Sequence, residues 1–320
     1  MMRAAQYRRY GNPDVIEIVD VSVKPPNAGE VLVRVRASSV NGGEAAMRAG
    51  LMRMLTGRSF PRGIGIDFAG EIVGVGDGLD AAQIGAHVWG MLRNRDIIRQ
   101  KEAAGTAAEF VTVDAATLAP LPKTLEFGQA VSLLAGNAAL VSLRDRAALK
   151  KGERLLVRGG TGGVGFVGVQ LGHVLGAEVT TLVSAANIPV AQQIGADVAL
   201  DHRETTAADL GPFDVIFDTV GSDMASYRRL LSKGGRMVTL GANPPLQGFA
   251  AILASSFAGS RRIQYFLAEP TPSLLRDYAD LIDDGRIRPL IASEHSLADI
   301  AAAHRAFERG GVPGKHVVMS

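Results

Sequence analysis

The sequence predicts an α/β protein of two domains, a β-rich domain interrupted by an inserted, doubly wound parallel sheet. Three observations carry this reading. A short apolar run, Leu155-Leu156-Val157, opens into glycines at 159, 160, 162, 163 and 165, after which Val164, Val167, Leu171 and Val174 recur at helical spacing. β and α signals then alternate as far as residue 267. Before residue 120 the chain reads instead as many short strands between glycine turns, and a closing strand at 315–319 restores that character. A chain of 320 residues is also long for one ordinary domain.

Residues 15–23 form a β-rich run stopped by Lys24-Pro25-Pro26. Residues 30–36 partly alternate apolar with charged side chains, which puts Arg34 and Arg36 on one face. Stretches 68–75, 86–89 and 107–113 are further short strands, and 41–55 reads as a loop leading into a short helix. Pro120-Leu121-Pro122 punctuates the chain, and a helical stretch follows at 127–149. Beyond the glycines come a second strand at 178–183, a helix begun by Pro189 and ended by Gly195, and a third strand at 198–200. A fourth strand, 213–217, closes on Asp218-Thr219-Val220-Gly221. A helix at 224–231, a turn at Lys233-Gly234-Gly235 and a fifth strand at 236–240 follow, with a sixth at 262–267. After Pro270 come helices at 273–284 and 297–309 and the closing strand. The inserted domain is assigned to 123–267, and 1–122 with 268–320 to the other.

Strand, glycine turn and helix together make Gly160-Thr161-Gly162-Gly163-Val164-Gly165 a dinucleotide fingerprint. Its first glycine is expected to permit the tight turn, its second to let backbone approach a pyrophosphate, and its third to bring helix close to strand. The helix N-terminus adds a positive dipole end for the phosphates. The composition, 47 % apolar and 21 % charged, is that of a soluble globular protein. No apolar run reaches the roughly 18 residues of a membrane span, and Met1-Met2-Arg3-Ala4-Ala5-Gln6-Tyr7 lacks a signal-peptide core. Without cysteines there are no disulfides and no thiolate metal ligands, which points to the cytoplasm. A net charge of +2 with no long basic run gives no footprint for nucleic acid.

Several segments, in order, resemble one family. They are Val40-Asn41, residues 60–70 (FPRGIGIDFAG), Gly105-Thr106-Ala107-Ala108-Glu109-Phe110, Leu149-Lys150-Lys151-Gly152-Glu153 and the fingerprint. Gly195-Ala196-Asp197, Phe217-Asp218-Thr219-Val220-Gly221, residues 230–236, 285–289, Ala302-Ala303-His304 and Gly314-Lys315 continue the match. The chain resembles the medium-chain dehydrogenases/reductases in their zinc-free, quinone oxidoreductase-like branch. The resemblance implies a GroES-like catalytic domain interrupted by a Rossmann domain, with the active site in the cleft between them. It also implies a homodimer joined through the edge strand Ile263-Gln264-Tyr265-Phe266.

The zinc enzymes of this superfamily carry a cysteine at the place of Asn41 and a His-Glu pair at the place of Ile66-Asp67. None of the six histidines here pairs at ligand spacing, and each reads as a surface or hydrogen-bonded residue. Asp67 is expected to accept from backbone N–H groups. A metal-free reductase must polarise its substrate with hydrogen-bond donors. The favoured chemistry is hydride delivery from a nicotinamide to a quinone or to the β-carbon of an enone. Asn41 is the candidate catalytic and cofactor residue, because the resemblance places it beside the nicotinamide ribose. The chain departs from the family at Ala46 and Met52, where tyrosines are common, and at Ala138, where a threonine is. Ala46, Met47, Leu51, Met52 and Met54 read either as an apolar, adaptable pocket or as core, and Arg48 and Arg53 as a solvated helix face.

A NAD site would hold an acidic residue at the end of the second strand; here that place is Ser184, which favours NADP(H). Asn187 stands where the family has a lysine, and His202 where NADPH-using relatives place a ring beside the 2′-phosphate. The resemblance extends the cofactor contacts to Val220, Leu240 and Gly241, and to Phe266, Leu267 and Lys315. Two other readings stand beside the reductase: a non-catalytic NADP(H)-binding sensor, and a metal-free alcohol or aldehyde dehydrogenase.

Overall fold

The structure, a computed structural model, describes residues 1–99, 105–257 and 259–320. Two compact units emerge: Met1–Ala135 with Glu269–Gly310 and Gly314–Ser320, and Gly136–Ala268 with Gly311–Pro313. The first unit opens with strands β1 (Met2–Tyr7), β2 (Ile16–Val21), β3 (Glu30–Ser39), β4 (Arg62–Gly63), β5 (Asp67–Val75), β6 (His87–Met91), β7 (Phe110–Asp114) and β8 (Leu118–Pro120). Its helices there are α1 (Gly42–Arg48), α2 (Arg53–Thr56), α3 (Asn94–Arg99) and α4 (Phe127–Leu134). The second unit carries α5 (Asn137–Leu140), β9 (Arg154–Arg158), α6 (Gly165–Val174), β10 (Glu178–Val183), α7 (Ile188–Gln193) and β11 (Val198–Asp201). It continues with β12 (Phe213–Asp218), α8 (Met224–Arg229), β13 (Leu231–Thr239), α9 (Pro245–Ser255) and β14 (Ile263–Tyr265). The chain then returns to the first unit as α10 (Pro272–Asp283), β15 (Ile291–Ser296), α11 (Ile300–Arg309) and β16 (Lys315–Met319).

In the first unit β3 is the spine. Val31, Val33 and Val35 point inward with Phe68, Ile72, Val88, Val111, Val113 and Leu118, while Arg34 and Arg36 stand exposed on the opposite face. Each such buried aliphatic or aromatic side chain contributes roughly 1.5–3 kcal/mol. The sheet runs β15-β16-β3-β5-β6-β8 with β7 also on β3, and a second sheet runs β2-β1-β4. A second core joins the chain's two ends, packing Ala5, Tyr7, Val40 and Ile64 against Leu297, Ile300 and Val318. Strands β1 and β15 have no sequence signal: the first is alanine-rich and the second mostly polar, and pairing with their neighbours sets their conformation.

The helical stretch at 127–149 is not one helix. Helix α4 packs its buried Ala130, Val131, Leu133 and Leu134 in the first unit, against β3, β5, β6 and β16. The chain breaks at Ala135-Gly136, α5 packs on α6 in the second unit, and a wide π turn covers Val141–Arg146. The units therefore divide at 135/136, where the sequence reading put 122/123.

The second unit is a six-stranded parallel sheet in the order β11-β10-β9-β12-β13-β14. Leu155, Leu156 and Val157 at its centre are wholly buried. The chain runs outward from β9 in both directions, so the order reverses between β9 and β12. Two elements differ from expectation. Strand β13 reaches back through the glycine turn to Leu231, with Gly234 at φ +83°. Helix α9 was unforeseen, because its Leu246, Phe249 and Leu253 are exposed and trace no core-facing stripe. No helix among the described residues is long and apolar enough to cross a membrane.

Candidate functional site

Most of the predicted cofactor residues gather along one edge of the parallel sheet, just beyond the carboxyl ends of its strands. Residues 160–164 follow β9, Ser184 and Asn187 follow β10, His202 follows β11, Val220 follows β12, Leu240 and Gly241 follow β13, and Phe266 and Leu267 follow β14. In an open α/β sheet this edge is where ligands bind, at the point of order reversal. The glycines divide their labour differently from expectation. Gly159, at φ +76°, makes the tight turn. Gly160 lies against β10, where a Cβ would stand 1.9 Å from Thr181 Oγ1. A Cβ on Gly165 would stand 2.0 Å from the Gly159 carbonyl oxygen, so this glycine lets helix and turn close together. At Gly162 a Cβ would stand 3.3 Å from the Gly159 carbonyl oxygen, a tight contact though less severe than at the other two glycines. A turn in which a Cβ would be crowded at all three glycines, most at 160 and 165, is a cradle that fits a pyrophosphate.

Ser184 adds a second mark of fit. Its Oγ is buried and has no hydrogen-bond partner among the described residues. Val183 pairs with Asp201, so Ser184 and His202 share one corner of the sheet. The half-exposed His202 ring is tethered through Nδ1 to the Val183 carbonyl at 2.9 Å. Asn187 is committed elsewhere: its Nδ2 donates to Thr161 Oγ1 (3.3 Å) and to the Gly311 carbonyl (3.2 Å), leaving no N–H for a phosphate. Val220 N donates to Asp218 Oδ1 at 3.1 Å. Phe266 lies under the Arg146 guanidinium, 4.2 Å from its ring centre.

The sequence reading missed an ion pair at the reversal point. Arg158 ends β9 and bonds Asp218 at the end of β12 at 3.0 Å, with both side chains buried. Its guanidinium also donates to the Ser222 carbonyl and stacks on Tyr227 at 3.7 Å. Asp218 further accepts from Gly221 N and Thr239 Oγ1, so one carboxylate shapes the 218–222 turn. An arginine between the apolar run 155–157 and the fingerprint glycines was the available signal.

Asn41 and Lys315 belong to a buried polar cluster in the first unit. Asn41 caps α1 and its backbone N–H donates to Glu44 Oε1 at 3.0 Å. Its Nδ2 donates to Asp67 Oδ2 (2.8 Å) and to the Ser39 carbonyl (3.0 Å), and its Oδ1 accepts from Lys315 Nζ (2.7 Å). Lys315 also donates to the Val40 carbonyl and stands 3.9 Å from Asp67. Asp67 accepts from Ser39 N and from Ser39 Oγ, so its expected role as a backbone acceptor holds, with side-chain donors added. The expectation of Asn41 as a donor to a developing oxyanion does not survive this geometry, because both amide hydrogens are spent within the protein.

Burial, and then the Asp67 carboxylate, push Glu44 up to about 8. Burial pulls Lys315 down, against the two carboxylates that favour its charge. His304 is wholly buried, its Nε2 3.7 Å from Glu44 Oε1. Burial and the nearby Arg48 pull it down to about 3. Neither of its ring nitrogens has a hydrogen-bond partner among the described residues, which corrects the surface or hydrogen-bonded reading. Arg48 is likewise no solvated face: it is fully buried, donates to the Gly11 carbonyl at 2.5 Å and pairs with Glu308. Leu51 and Met54 are 71 % and 96 % exposed, whereas Met47 lines a cavity of about 10 Å³ with Glu44, Arg62 and Tyr7.

The residues at the superfamily's zinc position do not suit zinc. Asp67 is the one carboxylate there, surrounded by four donors, and Asn41 Oδ1 already faces a lysine. No group of three or more His, Cys, Asp or Glu placed for a metal occurs among the described residues.

A glycine cradle at the switch point of a parallel sheet, inserted into a unit of mainly antiparallel sheets, defines a two-domain dinucleotide-binding protein. Comparison sharpens this. Residues 27–123 match the alcohol dehydrogenase GroES-like domain, and 194–318 match the zinc-binding dehydrogenase family. Quinone oxidoreductase of Mus musculus is 29 % identical, covering 100 % of this chain and 98 % of its own. The chloroplastic NADPH-dependent alkenal/one oxidoreductase of Arabidopsis thaliana is also 29 % identical, over 99 % of this chain and 79 % of its own. The quinone oxidoreductase structure from Coxiella burnetii superposes with a TM-score of 0.89 at 27 % identity, covering 100 % and 99 % of the two chains. The chain belongs to the medium-chain dehydrogenase/reductase superfamily and is quinone oxidoreductase-like.

Proposed function

We propose that this oxidoreductase delivers hydride from NADPH to a quinone or to the β-carbon of an enone, and that it does so without zinc. NADPH, when bound, supplies the hydride. Residues 159–165 would hold its pyrophosphate against backbone, and Ser184 would donate to its 2′-phosphate. The observation that carries the cofactor assignment is the buried, unpartnered Ser184 Oγ at a place where a carboxylate would repel that phosphate. Support for the substrate class comes from the two named relatives, one a quinone and the other an alkenal/one oxidoreductase. Support for zinc independence comes from the Asn41, Asp67 and Lys315 donor set. Asn41 would accept from a hydroxyl of the cofactor. We also propose a homodimer through β14, which ends the parallel sheet.

The test is NADPH oxidation by purified protein with quinones, enones, aldehydes and alcohols, before and after prolonged chelation. Turnover of a quinone or enone, unchanged by chelation, is the expected result. Tight NADPH binding without turnover would favour the sensor reading, and turnover confined to aldehydes or alcohols the dehydrogenase reading. Activity lost to the chelator and restored by zinc would overturn zinc independence. A monomer at all concentrations in sedimentation would overturn the dimer.

A further inference from the structure

We infer that Asp67 and Lys315 are positioning residues that hold Asn41 as an acceptor-only amide, so that position 41 recognises a hydroxyl or N–H of its ligand and does not cradle an oxyanion. The argument is one of donor and acceptor polarity. Asn41 Nδ2 faces two acceptors, Asp67 Oδ2 at 2.8 Å and the Ser39 carbonyl at 3.0 Å. Its Oδ1 faces Lys315 Nζ at 2.7 Å, and a lysine head carries donors only. Turning the amide over would set its oxygen against a carboxylate and a carbonyl, and its NH2 against the lysine. All three hydrogen bonds would be lost, two of them to charged groups.

The clamp is itself fixed. Ser39 donates twice to Asp67, through N at 2.8 Å and Oγ at 2.6 Å. Lys315 is tied to the Val40 carbonyl at 2.8 Å. Asn41 is only 8 % exposed, Lys315 4 % and Asp67 0 %, so water does not compete for these bonds. The amide has two hydrogens, both used, so what it can offer a ligand is the acceptor Oδ1, which also meets Lys315 and the Glu44 N–H of the capping box. This inference rests on the proposed placement of Asn41 at the cofactor or substrate. It adds that the proton and hydrogen bonds for an enolate oxygen come from another group.

The decisive experiment exchanges the polarity of the pair. Asn41→Asp alone opposes two buried carboxylates and is expected to destabilise the protein. Adding Asp67→Asn restores a donor facing an acceptor, keeps the lysine paired and conserves net charge. In this double variant position 41 still offers an acceptor. It should regain part of the stability lost by Asn41→Asp, the new carboxylate still facing the Ser39 carbonyl, and bind NADPH within about tenfold of wild type. A folded double variant that binds NADPH a hundredfold or more weaker would overturn the inference, because Asn41 would then have been donating. If the double variant does not fold, side-chain amide exchange by NMR on the ligand-free wild-type protein answers instead. Both Asn41 Nδ2 protons should exchange far more slowly than those of an exposed asparagine, and rapid exchange of either would refute the clamp. Asn41→Leu separates the two layers: unchanged NADPH binding and turnover there, with slow exchange in wild type, would leave the clamp standing and remove Asn41 from the functional site.

Discussion

The fingerprint crevice and the Asn41 cluster solve opposite problems. The crevice is built from absence: glycines at 160 and 165 leave no room for a Cβ, Gly162 leaves little, and a serine hydroxyl is left without a partner. The cluster is built from excess: Asp67, Glu44, Arg48, His304 and Lys315 are all buried within one unit. Backbone and space recognise a ligand cheaply, because little is desolvated before the ligand arrives. A buried charge network holds one side chain in one pose, at the cost of stripping water from every member. The first region should therefore be sensitive in ligand affinity, and the second in fold stability and its pH dependence.

The largest expected effect is Asp67→Ala. It leaves buried Lys315 with Glu44 as its remaining acidic neighbour and strips acceptors from Ser39 and Asn41, for a loss of about 3–5 kcal/mol. Urea unfolding measures it. Gly165→Ala should cost less, about 1–3 kcal/mol, because the turn shifts to relieve the contact with Gly159; its larger signature should be weakened NADPH binding. If Gly165→Ala destabilised more than Asp67→Ala, the contrast between the two regions would be wrong.

The pH dependence sharpens the same contrast. Glu44 holds its proton up to about 8 in the fold against 4.5 for a free glutamate. Between those values the folded state binds the extra proton, so stability falls as pH rises, by at most about 1.4 kcal/mol per pH unit. His304 has the opposite sign. Its folded value of about 3 lies below 6.5, so the unfolded state binds the extra proton and stability falls as pH drops through that window. The two windows overlap between 4.5 and 6.5, so His304 drops out between pH 6.5 and 8, where the Glu44 slope remains. Glu44→Gln should flatten the stability profile there, and an unchanged slope would remove Glu44 as its cause. The smallest effect is expected in the crevice. Ser184→Asp should weaken NADPH relative to NADH by roughly tenfold through repulsion of the 2′-phosphate. Equal changes in the two dissociation constants would place Ser184 away from the adenosine ribose.

Sequence alone determined the parallel sheet and its cofactor edge. Strand, glycine turn and helix are local, with the fingerprint confined to six consecutive residues, and the alternation of β and α signals places every later strand end on that same edge. Ser184 was assigned to the end of the second strand by counting strands, and His202 by resemblance to NADPH-using relatives; the structure sets both at one corner of the sheet. The Asn41 pose was not legible, because its partners lie 26 and 274 residues away and no periodicity links them. Arg48 was misread for the same reason: alone it is a surface arginine, and only the Gly11 carbonyl and Glu308 make its burial tolerable. Local sequence fixes what the backbone can do, within a few residues, by sterics. Which charges meet, and therefore which hydrogens of Asn41 are spent, is decided by long-range pairing of β3, β5 and β16, and so by the tertiary structure.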